Sequence, residues 1–196
     1  MYYRWMMVAA CLITVAFLPA VTHAASVTHE RSKWVITDFT TTAGCIETNV
    51  FLGAIQESNA PGALVNLYIY QQNTCTGELL FGDSVSDVNV SQDVFQIQGN
   101  RAVFHGTVIG TDALANAIPM TVDLTWQATG SMTVANLTFH SHVPGCVVNA
   151  HTQYKTRLAT AEGTVVVGST NFTPNPSTYA AIQAGNDGSV QIGCDG

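Results

Sequence analysis

The residues whose types and spacing are best suited to chemistry are the histidines of His140-Ser141-His142. On a strand, alternate residues share a face, so both imidazoles would project to one side at a spacing that can chelate zinc or copper. His105 or His151 would supply a third nitrogen if their strands are neighbours. A plainer account is that histidines near a strand end are surface or hydrogen-bonded residues, and no Asp or Glu stands close in sequence. Asp83, Asp87, Asn89 and Asp93 form a second group, with hard oxygen ligands of the kind calcium takes in an extracellular protein. That stretch lacks the central glycine and closing glutamate of an EF-hand loop. Charges that discourage edge-to-edge pairing of a solvated strand explain the same residues.

Nucleophilic and acid–base chemistry have thinner support. No G-x-S-x-G elbow, phosphate loop, dinucleotide fingerprint or haem motif occurs, so no organic cofactor is expected and no catalytic residue is singled out. Asp38, Glu47 and Asp123 are the acids set inside strand patterns, and carboxylates for glycoside hydrolysis need only meet in the fold. Among the aromatics, Tyr68 and Tyr70 share one face of a strand, which favours core or loop contact over a ligand site. Trp34 and Trp126 suit either a sugar ring or the core, and Trp126 continues an apolar face, which favours the core. Three N-x-S/T sequons begin at Asn89, Asn136 and Asn171.

These candidates sit in a chain of 196 residues that is 47% hydrophobic but only 10% charged. Six Lys+Arg stand against 13 Asp+Glu, for a net charge of -7. A nucleic-acid partner is not expected, because polyanion binding needs a lysine or arginine field and the composition offers none. Intrinsic disorder is excluded by a mean hydropathy of +0.22. Met1–Trp5 with Arg4, the apolar run Met6–Leu18, Pro19, and Thr22 and Ala24 at the −3 and −1 positions form a secretory signal peptide. It is expected to span residues 1–24, with Ala25 a rival cleavage point, leaving 25–196 as one domain. A lipoprotein processed at Cys11 is disfavoured, since the apolar run before that cysteine is too short. Beyond the leader no stretch reaches the length of a membrane-spanning helix.

The remaining cysteines, Cys45, Cys75, Cys146 and Cys194, are even in number and not spaced as C-x-x-C, which reads as two disulfides of an exported protein. Three connectivities are open, and Cys45–Cys75 with Cys146–Cys194 is favoured because each joins sequence neighbours. Strand patterns dominate the rest. Met120, Val122, Leu124 and Trp126 alternate with Thr121, Asp123, Thr125 and Gln127, and Val148–Leu158 alternates with a polar face of His151, Gln153, Lys155 and Arg157. Gly99-Asn100 reads as a hairpin turn between Val94–Gln98 and Arg101–Ile109. Further strands are expected at 33–39, 46–55, 64–71, 79–85, 131–140 and 165–167, with Leu64–Tyr70 apolar enough to be covered on both faces. One short helix is expected at Pro176–Ala184, capped by Gly185. The whole is an all-β, antiparallel β-sandwich, with a jelly roll or partly closed barrel as its variants.

Gly44-Cys45-Ile46-Glu47-Thr48, Cys75-Thr76-Gly77, Val122–Trp126 and Asn171-Phe172-Thr173-Pro174 resemble blocks of uncharacterised secreted bacterial proteins. The resemblance implies an exported β-rich domain and transfers no activity, cofactor or functional residue. The function expected is therefore a secreted or cell-surface protein that binds, with carbohydrate a possible ligand, or that serves structurally. The alternative is a secreted hydrolase with a carboxylate or histidine site.

Overall fold

The computed structural model describes residues 25–192, so the expected signal segment, Cys11 and Cys194 lie outside the described residues. The described chain is all-β and antiparallel. Eleven strands follow in order: β1 (Ser26–Ala43), β2 (Ile46–Glu57), β3 (Gly62–Asn73), β4 (Glu78–Ser91), β5 (Phe95–Gln98), β6 (Arg101–Thr111), β7 (Ala117–Ala128), β8 (Thr133–Val143), β9 (Cys146–Val167), β10 (Thr170–Phe172) and β11 (Tyr179–Ile192).

Alternation decides which side each strand turns to the core. In β7, Met120, Val122, Leu124 and Trp126 are fully buried while Thr121, Asp123 and Gln127 are exposed. The same period of two buries Val50, Leu52 and Ala54 of β2 and Val65, Leu67 and Ile69 of β3. Pairing then carries these inward faces round a ring. It runs β9–β11–β1–β2–β3–β4–β6–β7 and returns to β9, because β7 pairs with both β6 and β9. The weakest link is β4 to β6, where the register holds a single pair, Ser84 with Thr111. Of the packings expected from sequence, this is the partly closed barrel. Its interior is filled by side chains, including Phe39, Phe95, Phe104 and Trp126, so the barrel is a packed core without a lumen. Within it the Trp126 indole N–H donates to the Thr37 hydroxyl, which gives both of these buried groups a partner.

The turns follow the local sequence. Gly99 takes φ +59 in the two-residue link between the paired Gln98 and Arg101, a conformation that glycine adopts without a Cβ clash. Cys45 and Cys75 form a disulfide with Cα atoms 5.5 Å apart, joining the β1–β2 turn to the β3–β4 turn. Cys146 is also disulfide-bonded.

Two expectations are corrected. Pro176–Ala184 contains no helix: a turn around Asn175 leads into β11, whose residues pair with β1 on one side and β9 on the other. The alanine-rich sequence favours a helix locally, but insertion between two strands buries Ala180, Ala181 and Ile182 and overrides that preference. Leu64–Tyr70 is covered on one face only, since Tyr68 and Tyr70 remain 40% and 43% exposed on the outer wall.

Four strands outrun the barrel. β8 continues the line of β7 along the same edge of β9, and β9 and β11 extend with it to the start of β1. These segments form a four-stranded wing, β8–β9–β11–β1, over which the described residues place no second layer. Ten of the eleven residues of β8 are exposed. One face of the wing runs on from the outer wall of the barrel, and the other runs on from its interior.

Candidate functional site

A groove of about 530 Å³ opens on the outer wall where β1, β2 and β3 meet the base of the wing. Its aromatic walls come from four strands: Trp34 of β1, Phe51 of β2, Tyr68 of β3 and Tyr154 of β9. Trp34 and Tyr154 meet edge to face with centroids 5.7 Å apart, and Phe51 and Tyr68 tilt together at 6.0 Å. Ile36, Ile55 and Leu64 complete the apolar lining, and Ser32, Asn66 and Asp187 supply the polar groups.

Two glycines make this arrangement possible. Register sets Gly185 beside Ser32 on β1 and Tyr154 on β9. A Cβ at position 185 would lie 2.9 Å from both the Ser32 hydroxyl and Trp34 Cζ3, so the bare backbone lets the indole lean across β11 towards Tyr154. Gly53 lies between Ile36 and Asn66, and a Cβ there would meet the Phe51 ring at 3.5 Å. Tyr68 is held from the other side. Its hydroxyl shares a 2.9 Å hydrogen bond with Ser86, and Asn66 donates to Asp87 at 3.3 Å while accepting from the Asp87 N–H at 3.1 Å. Asp87 has φ +51, next to a register shift between β3 and β4, so an irregular ladder aims this polar network at the groove's rim.

The residues singled out from the sequence are distributed otherwise. Trp126 is fully buried in the core, whereas Trp34 lines the groove. His140 and His142 fall on the same face of β8, and β8 and β9 are neighbours, so His151 stands diagonal to His140 across the ladder. The His140 Nδ1–H donates to Asn149 Oδ1, and His151 Nδ1 shares a 3.4 Å hydrogen bond with Thr138. His105 is elsewhere, on β6, 3.4 Å from Asp123 across the β6–β7 ladder. Among the described residues no three His, Cys, Asp or Glu side chains come together as a metal-ligand group.

The acids are also dispersed. Asp38 stands opposite Phe51, Glu47 opposite Thr42, and Asp123 opposite His105. Of the proposed oxygen ligands, Asp83 turns into the barrel while Asp87 and Asp93 face solvent. A solvated strand edge therefore does not describe Asp83. Both its carboxylate oxygens are buried without a hydrogen-bond partner. Burial, reinforced by the charge of Asp112, raises the Asp83 pKa above the ordinary carboxylate value.

The sequence left Trp34 open between a sugar ring and the core and favoured core or loop contact for Tyr68, whereas both line the groove, and it did not single out Phe51 and Tyr154, which look like ordinary strand aromatics. Only the pairing of β9 with β11 and β11 with β1 brings Tyr154 to Trp34. No family model, curated protein or solved structure matches the chain.

Proposed function

We propose that the protein is a secreted or cell-surface binding protein that takes a sugar ring in the groove of Trp34, Phe51, Tyr68 and Tyr154. The single observation that carries this reading is the convergence of four aromatic side chains from four strands on one open groove with a few polar groups at its edge. Apolar ring faces stack on the C–H face of a sugar, while Ser32, Asn66 and Asp187 are placed to hydrogen-bond its hydroxyls. The Cys45–Cys75 disulfide is compatible with an extracellular location.

Binding is favoured over hydrolysis because Asp187 is the one carboxylate among the groove's lining residues. Glycoside hydrolysis needs two, on either side of the scissile bond. Titration with a panel of neutral oligosaccharides, followed by tryptophan fluorescence and calorimetry, tests the reading. At least one member should bind with sub-millimolar Kd, and Trp34→Ala should weaken it by about tenfold or more, in line with the loss of one stacked ring. A panel without any binder, or an affinity indifferent to Trp34→Ala, overturns it.

A further inference from the structure

The wing separates charge by face. Register places His29, Arg31 and Lys33 of β1 on the side that continues the barrel interior, together with His151, Lys155 and Arg157 of β9 and His140 and His142 of β8. Four of the chain's six Lys+Arg residues and four of its six histidines therefore share one sheet face of a protein whose net charge is -7. β11 adds no titratable group there, only Asn186, Gly188 and Val190, and its Asp187 points to the opposite face with Glu30. Glu57 is the carboxylate at the margin, where it shares a cavity with Arg31 and Lys33.

These cations are not neutralised by one another's neighbours. Among the described residues the one ion pair is His105 with Asp123, on the barrel wall. Arg31, Lys33 and Lys155 are exposed. Arg157 donates one guanidinium N–H to Asn100 at 2.8 Å, and its buried Nε has no partner. Lys33 and Lys155 face each other across Ala184, two strand spacings or about 10 Å apart, and with Arg157 they line a cavity at the barrel's mouth. Across the next rungs His29 faces His151 over Gly188, whose missing side chain leaves that row open; a Cβ there would be 3.4 Å from the His29 ring.

We infer that this face binds a linear polysaccharide carrying carboxylate or sulfate groups, at a site separate from the aromatic groove. Charge complementarity selects an anion, and the length of the array selects a polymer over a single ion. Asn136, Gln153, Asn186 and Thr138 lie between the charges and suit sugar hydroxyls. Within the wing segments no described Phe, Tyr or Trp lies on this face, so it lacks the stacking platform with which single-stranded nucleic acids are held.

The experiment is binding of the full chain to immobilised dextran sulfate and to polygalacturonate at pH 7.5, over a range of salt. Binding that weakens as salt is raised is expected. The exposed double substitution Lys33→Gln/Lys155→Gln should lose about tenfold, while Arg101→Gln on the barrel changes little. Trp34→Ala should not alter retention, which separates this site from the groove. Absence of binding to both polymers at low salt overturns the inference, as does a folded Lys33→Gln/Lys155→Gln variant that binds like the parent. Equal affinity for oligothymidylate or for phosphatidylglycerol vesicles also overturns it, since the face would then read charge alone.

Discussion

The same three strands, β1, β9 and β11, pass through two environments. In the barrel they have an inside: Val35 and Phe39 of β1 are buried among residues from the far wall, and only the alternate side chains meet water. In the wing the ladder continues unbroken, yet both faces are wet. The inward positions that hold Val35 and Thr37 are occupied by His29, Arg31 and Lys33 a few residues earlier. Hydrogen-bonded pairing is thus common to both halves, and burial belongs to one of them. The barrel half holds the fold together, and the wing half presents side chains.

The sharpest break of that comparison is at Trp126 and Phe139. Trp126→Ala removes a fully buried indole and strands the Thr37 hydroxyl, and should cost about 3–5 kcal/mol in denaturant unfolding. Phe139→Ala, at a β8 position that is 59% exposed, should change stability by less than about 0.5 kcal/mol. A comparable loss at the two positions would mean that the wing has a covered face. In hydrogen exchange the amides of β8 should open well before those of β7, although the two follow one another along β9.

A finer contrast uses the two glycines of β11 on opposite faces. Gly185→Val drives a side chain into Ser32 and Trp34, and should cost about 1–3 kcal/mol and displace the indole from Tyr154. Gly188→Ala meets only the His29 ring at ordinary contact distance, so it should fold like the parent. Tryptophan fluorescence and the thermal midpoint of each variant check the pair. A silent Gly185→Val would show that Trp34 does not depend on the bare backbone beneath it.

The smallest effect concerns charge inside and outside the barrel. Asp83 has a folded-state pKa raised by burial and then by Asp112, so the folded protein holds this proton more tightly than the unfolded chain does. Its favourable contribution is present at pH below the ordinary carboxylate value and is lost as pH rises through the raised one. Asp83→Asn should therefore be more stable than the parent at pH 7.5, by roughly 1 kcal/mol or less, and the advantage should shrink towards pH 4. Urea midpoints at the two pH values measure it.

Much of this was legible along the chain, and the parts that were not share a cause. Met120 to Trp126 announces its inward face because alternation is a local property of one strand. The Gly99 turn was legible for the same reason, whereas the Cys45–Cys75 pairing spans 30 residues and was favoured only because the two are consecutive cysteines. Pro176–Ala184 was misread because its alanines carry a helical preference that only the flanking strands, β1 and β9, overrule. The cations illustrate the limit best. Six Lys+Arg scattered through an acidic chain offer no field when counted. Lys33 and Lys155 become neighbours on one face only when β11 is inserted between their strands.

What the sequence by itself determined is the strand content, the inward face of Met120–Trp126 and the Gly99 turn, because these depend on a period of two and on residues near one another. The tertiary structure alone decided that the sheet closes into a barrel, that four strands outrun it, and that Trp34 meets Tyr154 while the lysines meet across Ala184. Those outcomes depend on register between distant segments. A shift of one residue in that register would send every side chain of a strand to the opposite face, and with it either the groove or the charged face would be lost.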